Sequence, residues 1–345
     1  MAAPRLASKE MRQVLGIGAV CLVPVVLRNN YYIHLANAAM ITMIVATGLN
    51  LLTGYCGQIS IGHAAFWAVG AYTSALLTTR LGWSFWAALP ASGLAAAVLG
   101  YVIGRPTLRL KGAYLAIASI GVGEIVQLVL LNWTKGTGGA LGIKGIPIPR
   151  LLGFELATEF QLFYLIFAVF LTIFWVTDRI VRSPLGRAFL AIRQNEVAAQ
   201  FMGVDIARLK VLAFVISTAY AGVAGSLFAH LQGYISPYGF GFKESVGILC
   251  MVLAGGMGYR WGPVIGVLLL TVGRESFRYF QDYQLVVYGL LLIVVIVFMP
   301  KGVAGSVPEL VDKWRGRLRR RGQRRGQPTL VASATAGRAR PRGRS

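Results

Sequence analysis

Charge is scarce in this chain. Its 345 residues carry 12 Asp and Glu and 34 Lys and Arg, 13% in all, against 56% hydrophobic residues and a mean hydropathy of +0.64. So little polar surface cannot cover so much apolar interior in water, which excludes an ordinary soluble domain and makes a bilayer the solvent for most of the chain. Cysteine is nearly absent too. Cys21, Cys56 and Cys250 fall in apolar stretches, with no CxxC pair and no His at ligand spacing; packing as small buried residues is the expectation, rather than a disulfide or a metal site. No serine, histidine and acid arrangement stands out, so neither a catalytic centre nor a bound metal is expected. A phosphate-binding G-x-x-x-x-G-K-[ST] loop is also missing. The nearest run, Lys135 to Gly145, has Ile143 where the last Gly should stand and no hydroxyl residue after Lys144. Any energy for uphill work must therefore come from another chain or from an ion gradient.

What the chain has is long apolar runs. A helical span needs about 20 apolar residues, and ten candidates follow one another: Met11 to Leu27, Ile33 to Leu52, Ala64 to Thr79, Trp83 to Ile103, Ala113 to Asn132, Phe160 to Val176, Val211 to Leu231, Ser245 to Gly258, Gly262 to Glu275 and Leu285 to Met299. The fold class read from them is an all-α membrane protein of about ten transmembrane helices. The basic residues concentrate in the segments between spans and in the tail, and the positive-inside rule then puts both termini in the cytoplasm. Residues 1–32 form an N-terminal segment with a retained first helix, since no small-residue cleavage site follows Val14 to Leu27. Residues 33–305 form the membrane domain, with a long cytoplasmic insert at 178–210. Residues 306–345 are a basic tail too poor in apolar residues to build a core. That tail suits an anchor against anionic lipid headgroups; it lacks the interleaved aromatics of a nucleic-acid binder, and no nucleic-acid partner is expected.

Two regions break the helical pattern. Gly54, Gly57 and Gly62 interrupt the first half, and Gly255, Gly256, Gly258, Gly262 and Pro263 lie between two short candidate spans in the second. Backbone without internal hydrogen bonds cannot face lipid, so such breaks belong against protein or a wet cavity. One break in each set of five helices resembles transporters built from two inverted repeats. Gln58, Ser60 and His63 put hydrogen-bonding groups at the first break; they either bond the broken backbone or line a hydrated path for a polar solute. Glu124, with Gln127 one turn on along the same face, is the carboxylate in the middle of a span. It is a candidate for the translocation path by default, with a structural pairing inside the bundle as the alternative. His34 and His230, near span ends, read as interfacial hydrogen-bonding residues.

The insert DRIVRSPLGRAFLAIRQNEVAAQFMGVDIARLK from Asp178 to Lys210 reads as a helix-turn-helix knob. Ser183 can cap its first helix with Pro184 in the first turn; Leu185, Phe189 and Ile192 form one stripe; Asn195 caps a second helix that Gly203 ends. By composition alone it is equally an amphipathic connector lying on the membrane surface. The order Glu196, Ala198, Ala199, Gly203 resembles the E-x-A-A-x-x-x-G signature of ABC importer permeases, whose loop docks into a separate ATPase subunit. That resemblance implies a coupling role for Pro184, Leu185, Gly186, Arg187, Arg193, Glu196, Ala198, Ala199 and Gly203.

Further stretches narrow the likeness. GLNLLTGYCGQISIGHAAFWAVGAYTSALL from Gly48 to Leu77, LRLKGAYLAIASIGVGEIVQLVLLNW from Leu108 to Trp133, LAFVISTAYAGVAGSLFAH from Leu212 to His230, LAGGMGYRWGPVIG from Leu253 to Gly266 and FMPKGVAG from Phe298 to Gly305 are similar, in order and spacing, to the branched-chain amino-acid permease family, LivM-type branch. The resemblance covers about residues 33 to 305. It implies a bacterial-type plasma-membrane importer assembled with a homologous second permease, two ATP-binding subunits and an extracytoplasmic binding protein, with ATP used by the partners and no cofactor held by this chain. It leaves a related amide or urea open as substrate. An ion-coupled secondary transporter is the other class, and the residues offer it one central carboxylate.

Overall fold

The structure is a computed structural model that describes residues 29–276, apart from 109, 111, 152 and 153, together with 289, 293 and 302–306. The first candidate span and Cys21 lie outside the described residues, as do the last candidate span apart from 289 and 293 and the basic tail after 306. By its internal contacts the chain divides into units 1–304 and 305–345, and everything below concerns the first.

Eight helices correspond to the eight candidate spans and three more to the segments between them. Helix α1, Asn30–Leu49, is capped by Asn29, whose side chain accepts from the Tyr31 N–H at 3.0 Å. It runs on into a wider π-wound turn, Asn50–Tyr55, and an irregular stretch before α2, His63–Arg80. Helix α3 spans Phe85–Thr107 and α4 spans Ala113–Asn132; the short α5, Thr134–Thr137, follows. Two-residue strands β1 (Ile143–Lys144), β2 (Arg150–Leu151) and β3 (Phe154–Glu155) precede α6, Glu159–Arg182. Thr158 and Gln161 form a reciprocal capping box at the start of α6, satisfying two orphan N–H groups. The insert gives α7, Pro184–Gln194, and α8, Glu196–Phe201. Helix α9, Ile206–Gln232, leads to β4, Tyr234–Ile235, which pairs antiparallel with β1; α10 is Phe242–Gly255, and α11 is Gly262–Ser276 as far as it is described. The two small ladders, β1 with β4 and β2 with β3, are additions to the all-α expectation.

Among the described residues five helical segments are long and apolar enough to cross a bilayer: Asn30–Tyr55, Phe85–Thr107, Tyr114–Asn132, Glu159–Arg182 and Ile206–Gln232. The bundle is organised around α1 and α9. Helix α9 packs on α1, α2 and α3, and α1 packs on α6, α9 and α11. Close approach of α2 to α9 depends on glycine: a Cβ on Gly70 would overlap the backbone of Gly222, so the two helices meet main chain to main chain. Above that crossing Trp67, Phe228 and Phe240 form an edge-on aromatic trio with centroids 4.9–5.7 Å apart. Several polar groups inside the bundle are paired across helices, which lowers the cost of burying them. Ser74 meets Ser226 at 2.8 Å and His230 at 3.1 Å, and the His230 ring contacts the Pro147 carbonyl at 2.7 Å. Between α1 and the start of α6, His34 meets Glu159 at 2.9 Å.

Candidate functional site

The knob of residues 184–203 is built as its sequence suggests. The Ser183 hydroxyl accepts from the Leu185 N–H at 3.2 Å, the Asn195 carboxamide accepts from the Ala198 N–H at 3.1 Å, and Gly203 takes φ +81°. Each cap is worth roughly 1 kcal/mol, and together they set the angle between α7 and α8. Phe189, Ile192 and Ala199 are buried and hold the knob on the bundle. Gly186 sits where a Cβ would collide with the Val181 carbonyl at the end of α6, so α7 turns tightly off that helix. The outward side carries Pro184, Leu185, Arg187 and Ala198, with Val197 58%, Phe201 86% and Met202 84% exposed. Phe201 and Met202 thus stand almost free, side by side, at one tip of the knob. The resemblance covers Phe201 and Met202 as apolar residues flanking Gly203, without singling them out.

Glu196 of α8 meets the Lys210 ammonium at 2.6 Å, and the Lys210 side chain is only 4% exposed. A buried pair of this kind costs several kcal/mol when one partner is removed, so Glu196 fastens α8 to the root of α9. Lys210 was not singled out from the sequence; its place fourteen residues on gives no periodic signal.

The knob's inner side reaches the first glycine break. Arg193, at the end of α7, donates from Nη1 to the Gly54 carbonyl in the π-wound turn. Gly57 takes φ +76° and lies against the Arg193 backbone, which a Cβ would meet at 3.3 Å. The same turn is tied to the second break. Asn50 accepts from the Gly258 N–H at 2.9 Å and donates to the Tyr259 carbonyl at 3.1 Å. A Cβ on Gly54 would overlap both the Asn50 side chain and the Gly258 nitrogen, so glycine there is a condition of the contact. Arg260 then reaches Asp178 near the end of α6 at 3.1 Å, and Asp178 also pairs with Arg182 at 3.1 Å. Knob, first break and second break thus form one hydrogen-bonded joint.

Gly255 and Gly256 are buried within it. A Cβ on Gly255 would strike the Gly262 carbonyl across the α10–α11 hairpin, and one on Gly302 would strike Gly256. Asn50, the hub of the joint, is a further residue the sequence reading missed; an asparagine in an apolar helix was the available signal.

Farther along, Gln58, Ser60 and His63 are all buried. His63 meets the Ser217 hydroxyl at 3.1 Å, near the middle of α9; its Nδ1, the Gln58 Oε1 and the Ser60 Oγ have no partner among the described residues. The Ser119 hydroxyl accepts from the Ile61 N–H at 2.9 Å and the Ser245 hydroxyl from the Ala64 N–H at 3.0 Å, while Gly62 lies so close to Ser119 of α4 that a Cβ would overlap its carbonyl. So side chains of α4 and α10 satisfy the broken backbone, leaving the polar side chains of the break itself unspent. The unspent atoms of Gln58, Ser60 and His63 make no bond to the broken backbone among the described residues.

Glu124 does not join this group. It lies on the exposed face of α4 with Ile117, Gly121 and Leu128, at helical spacing, whereas Ser119 and Gln127 point to the bundle. Among the described residues no hydrogen bond or ion pair joins it to a partner within the bundle, the alternative weighed from sequence. Among the described residues no group of three His, Cys, Asp or Glu is arranged to hold a metal ion.

A bundle with several bilayer-length helices, two interrupted ones and a protruding helical knob is a multi-pass membrane protein of the transport type. Residues 31–296 match the family described as branched-chain amino acid transport system / permease component, and the chain belongs to that family. It is 39% identical over 294 residues, 79% of this chain and 69% of the relative, to the high-affinity branched-chain amino acid transport system permease protein LivM of Escherichia coli (strain K12). To LivM of Salmonella typhimurium it is 36% identical over 326 residues, 87% of this chain and 77% of the relative. To LivH of Escherichia coli (strain K12) it is 28% identical over 295 residues, 77% and 92%. No solved structure matches the chain.

Proposed function

We propose that this chain is one permease subunit of a binding-protein-dependent ABC importer for branched-chain amino acids, in which the 184–203 knob is the coupling loop. The observation that carries the reading is the bond from Arg193 to the Gly54 carbonyl, which joins a knob with an apolar, exposed tip to the helix break beside unspent polar side chains. In this scheme ATP is bound and hydrolysed by two partner subunits. Their closure moves Phe201 and Met202, the Glu196–Lys210 pair carries the motion to α9, and Arg193 carries it to both breaks at once. The breaks bend where glycine permits, and the hydrated region near Gln58, Ser60 and His63 changes the side to which it opens. Ten spans in two inverted sets of five, with both termini cytoplasmic, fit this cycle; an extracytoplasmic binding protein supplies substrate. The test is reconstitution in proteoliposomes with a second permease, the ATPase subunits and the binding protein. ATP-dependent uptake of leucine, isoleucine or valine is the expected result, and uptake of urea or an amide with no branched-chain amino acid uptake contradicts it.

Helix α4 gives the second permease a place. It is the least buried of the five bilayer-length segments, with 17% of its apolar window buried against 78% for α1. A carboxylate in mid-span facing lipid costs at least about 2.5–3.5 kcal/mol, so the face bearing Glu124 is assigned to the seam with the second permease. With p-benzoylphenylalanine at Leu128, irradiation is expected to join this chain to the second permease; adducts with lipid alone contradict the assignment.

A further inference from the structure

The loop 256–261 between α10 and α11 is the part of the second break that meets Asn50, and its backbone has wide conformational freedom. Gly256 takes φ +115° and Gly258 φ +79°, a range that other residues rarely enter. Asn50 nevertheless needs two groups of this loop in fixed places at once, the Gly258 N–H at 2.9 Å and the Tyr259 carbonyl at 3.1 Å. The Tyr259 carbonyl also accepts from the Gly262 N–H at 3.1 Å, which brings it to the start of α11. Close packing does not complete the fixing. A void of about 20 Å³ remains among Asn50, Tyr55, Phe174, Asp178 and Arg260, in a setting where interiors are normally filled.

What holds the loop is the residue after Tyr259. The Arg260 Nε lies 3.1 Å from Asp178 Oδ1, with the two side chains 28% and 15% exposed. Its N–H makes no hydrogen bond among the described residues, so the tie to Asp178 is Coulombic, and at this depth solvent screens it only in part. One turn back along α6, Phe174 lies under the same guanidinium, whose Cζ is 4.9 Å from the ring centroid. Trp261 adds its own ring, with its centroid 4.9 Å from that of Phe174. Two consecutive residues of the loop therefore grip two residues of α6 that stand a turn apart. The helix that is gripped is also the one from which the knob departs: Asp178 lies four residues before the end of α6, and Gly186 of α7 packs on Val181 in the same turn. On the loop itself a Cβ at Gly258 would overlap the Arg193 guanidinium, so Arg193 touches the loop at the residue that Asn50 binds.

We infer that Arg260 is a positioning residue for the transport cycle: by holding the loop on α6 it presents the Gly258 N–H and the Tyr259 carbonyl to Asn50, and so lets the pull of Arg193 on the first break reach the second. The inference rests on the importer reading above and goes beyond it, because that reading gives the relay to Arg193 alone. The two arginines act in series. Without Arg260 the loop no longer stays in register with the root of the knob, Arg193 still moves Gly54, and the second break is left behind.

The test has two readouts on the complete assembly: leucine imported per ATP hydrolysed in proteoliposomes, and hydrogen exchange of segment 256–262 without nucleotide. Arg260→Met is expected to lower the transport ratio roughly tenfold and to speed exchange in 256–262 by about tenfold, with exchange in α9 unchanged. Arg260→Lys, which keeps the charge but not the planar stack on Phe174, is expected to fall between. Because the two residues act in series, Arg193→Ala combined with Arg260→Met is expected to lose no more than Arg193→Ala alone. Losses that multiply, to roughly three-hundredfold, overturn the inference. So does an unchanged ratio, whether uptake and hydrolysis both hold or both fall together, and so does exchange in 256–262 as slow as in wild type. If Arg260→Met does not assemble, Asp178→Asn, which leaves Arg260 on Phe174, is read in its place with losses expected in the same direction. Absence of ATP-driven leucine uptake by the complete wild-type assembly overturns the importer reading instead, and the exchange measurement still decides whether Arg260 holds the loop.

Discussion

Replacing Phe201 and Met202 together by aspartate is expected to abolish association of the permease with its ATPase subunits while leaving the membrane bundle folded. Both side chains are more than four-fifths exposed and touch little of their own chain, so the substitution removes almost nothing from the fold. At an interface the balance is different. Central apolar anchors contribute about 2 kcal/mol or more each, and two carboxylates pushed into an apolar groove add a desolvation cost. A loss of roughly 4 kcal/mol corresponds to about a thousandfold weaker binding, at 1.4 kcal/mol per tenfold. Co-purification of tagged ATPase with the double variant checks it; recovery equal to wild type would assign the tip of the knob to some other surface, such as lipid headgroups.

The second large effect is expected from Arg193→Ala, and it differs in kind. The variant keeps Phe189 and Ile192, the residues that seat α7, so the knob stays on the bundle and the ATPase still binds. What is lost is the charge-assisted bond to the Gly54 carbonyl, typically about 1.5–3 kcal/mol. With the bond gone, motion of the knob no longer forces the π-wound turn to follow. A coupling loss of about 2 kcal/mol translates into roughly thirtyfold less transport. Arg193→Lys, which keeps the charge and loses the planar fork, is expected to fall between.

Much of this was legible in the residues. The knob's caps at Ser183 and Asn195 and its turn at Gly203 follow local rules of helix starts and stops, and the structure has them; of the expected stripe Phe189 and Ile192 are buried, whereas Leu185, in the first turn, is exposed. The helix gaps around Gly54–Gly62 and Gly255–Gly262 followed from glycine spacing. What sequence did not disclose is long-range pairing. Asn50 meets Gly258 and Tyr259 across two hundred residues of chain, and Arg193 meets Gly54; neither contact has a periodicity to read. Lys210 resembled an ordinary basic residue at a helix start until burial beside Glu196 gave it a function. Glu124 illustrates the opposite limit. Its position in mid-span was plain, but which face of α4 it occupies depends on how the helix is rotated against the bundle, and that is set by Ser119 bonding the Ile61 N–H.

The account stands on one claim, that the knob drives the helix breaks through Arg193. Its most direct test is the number of leucine molecules imported per ATP hydrolysed by proteoliposomes carrying the complete assembly, with wild-type permease and with Arg193→Ala. The account predicts that hydrolysis continues within about twofold of wild type while uptake falls roughly thirtyfold, so that the ratio collapses. A ratio unchanged from wild type, whether both rates hold or both fall together, contradicts it.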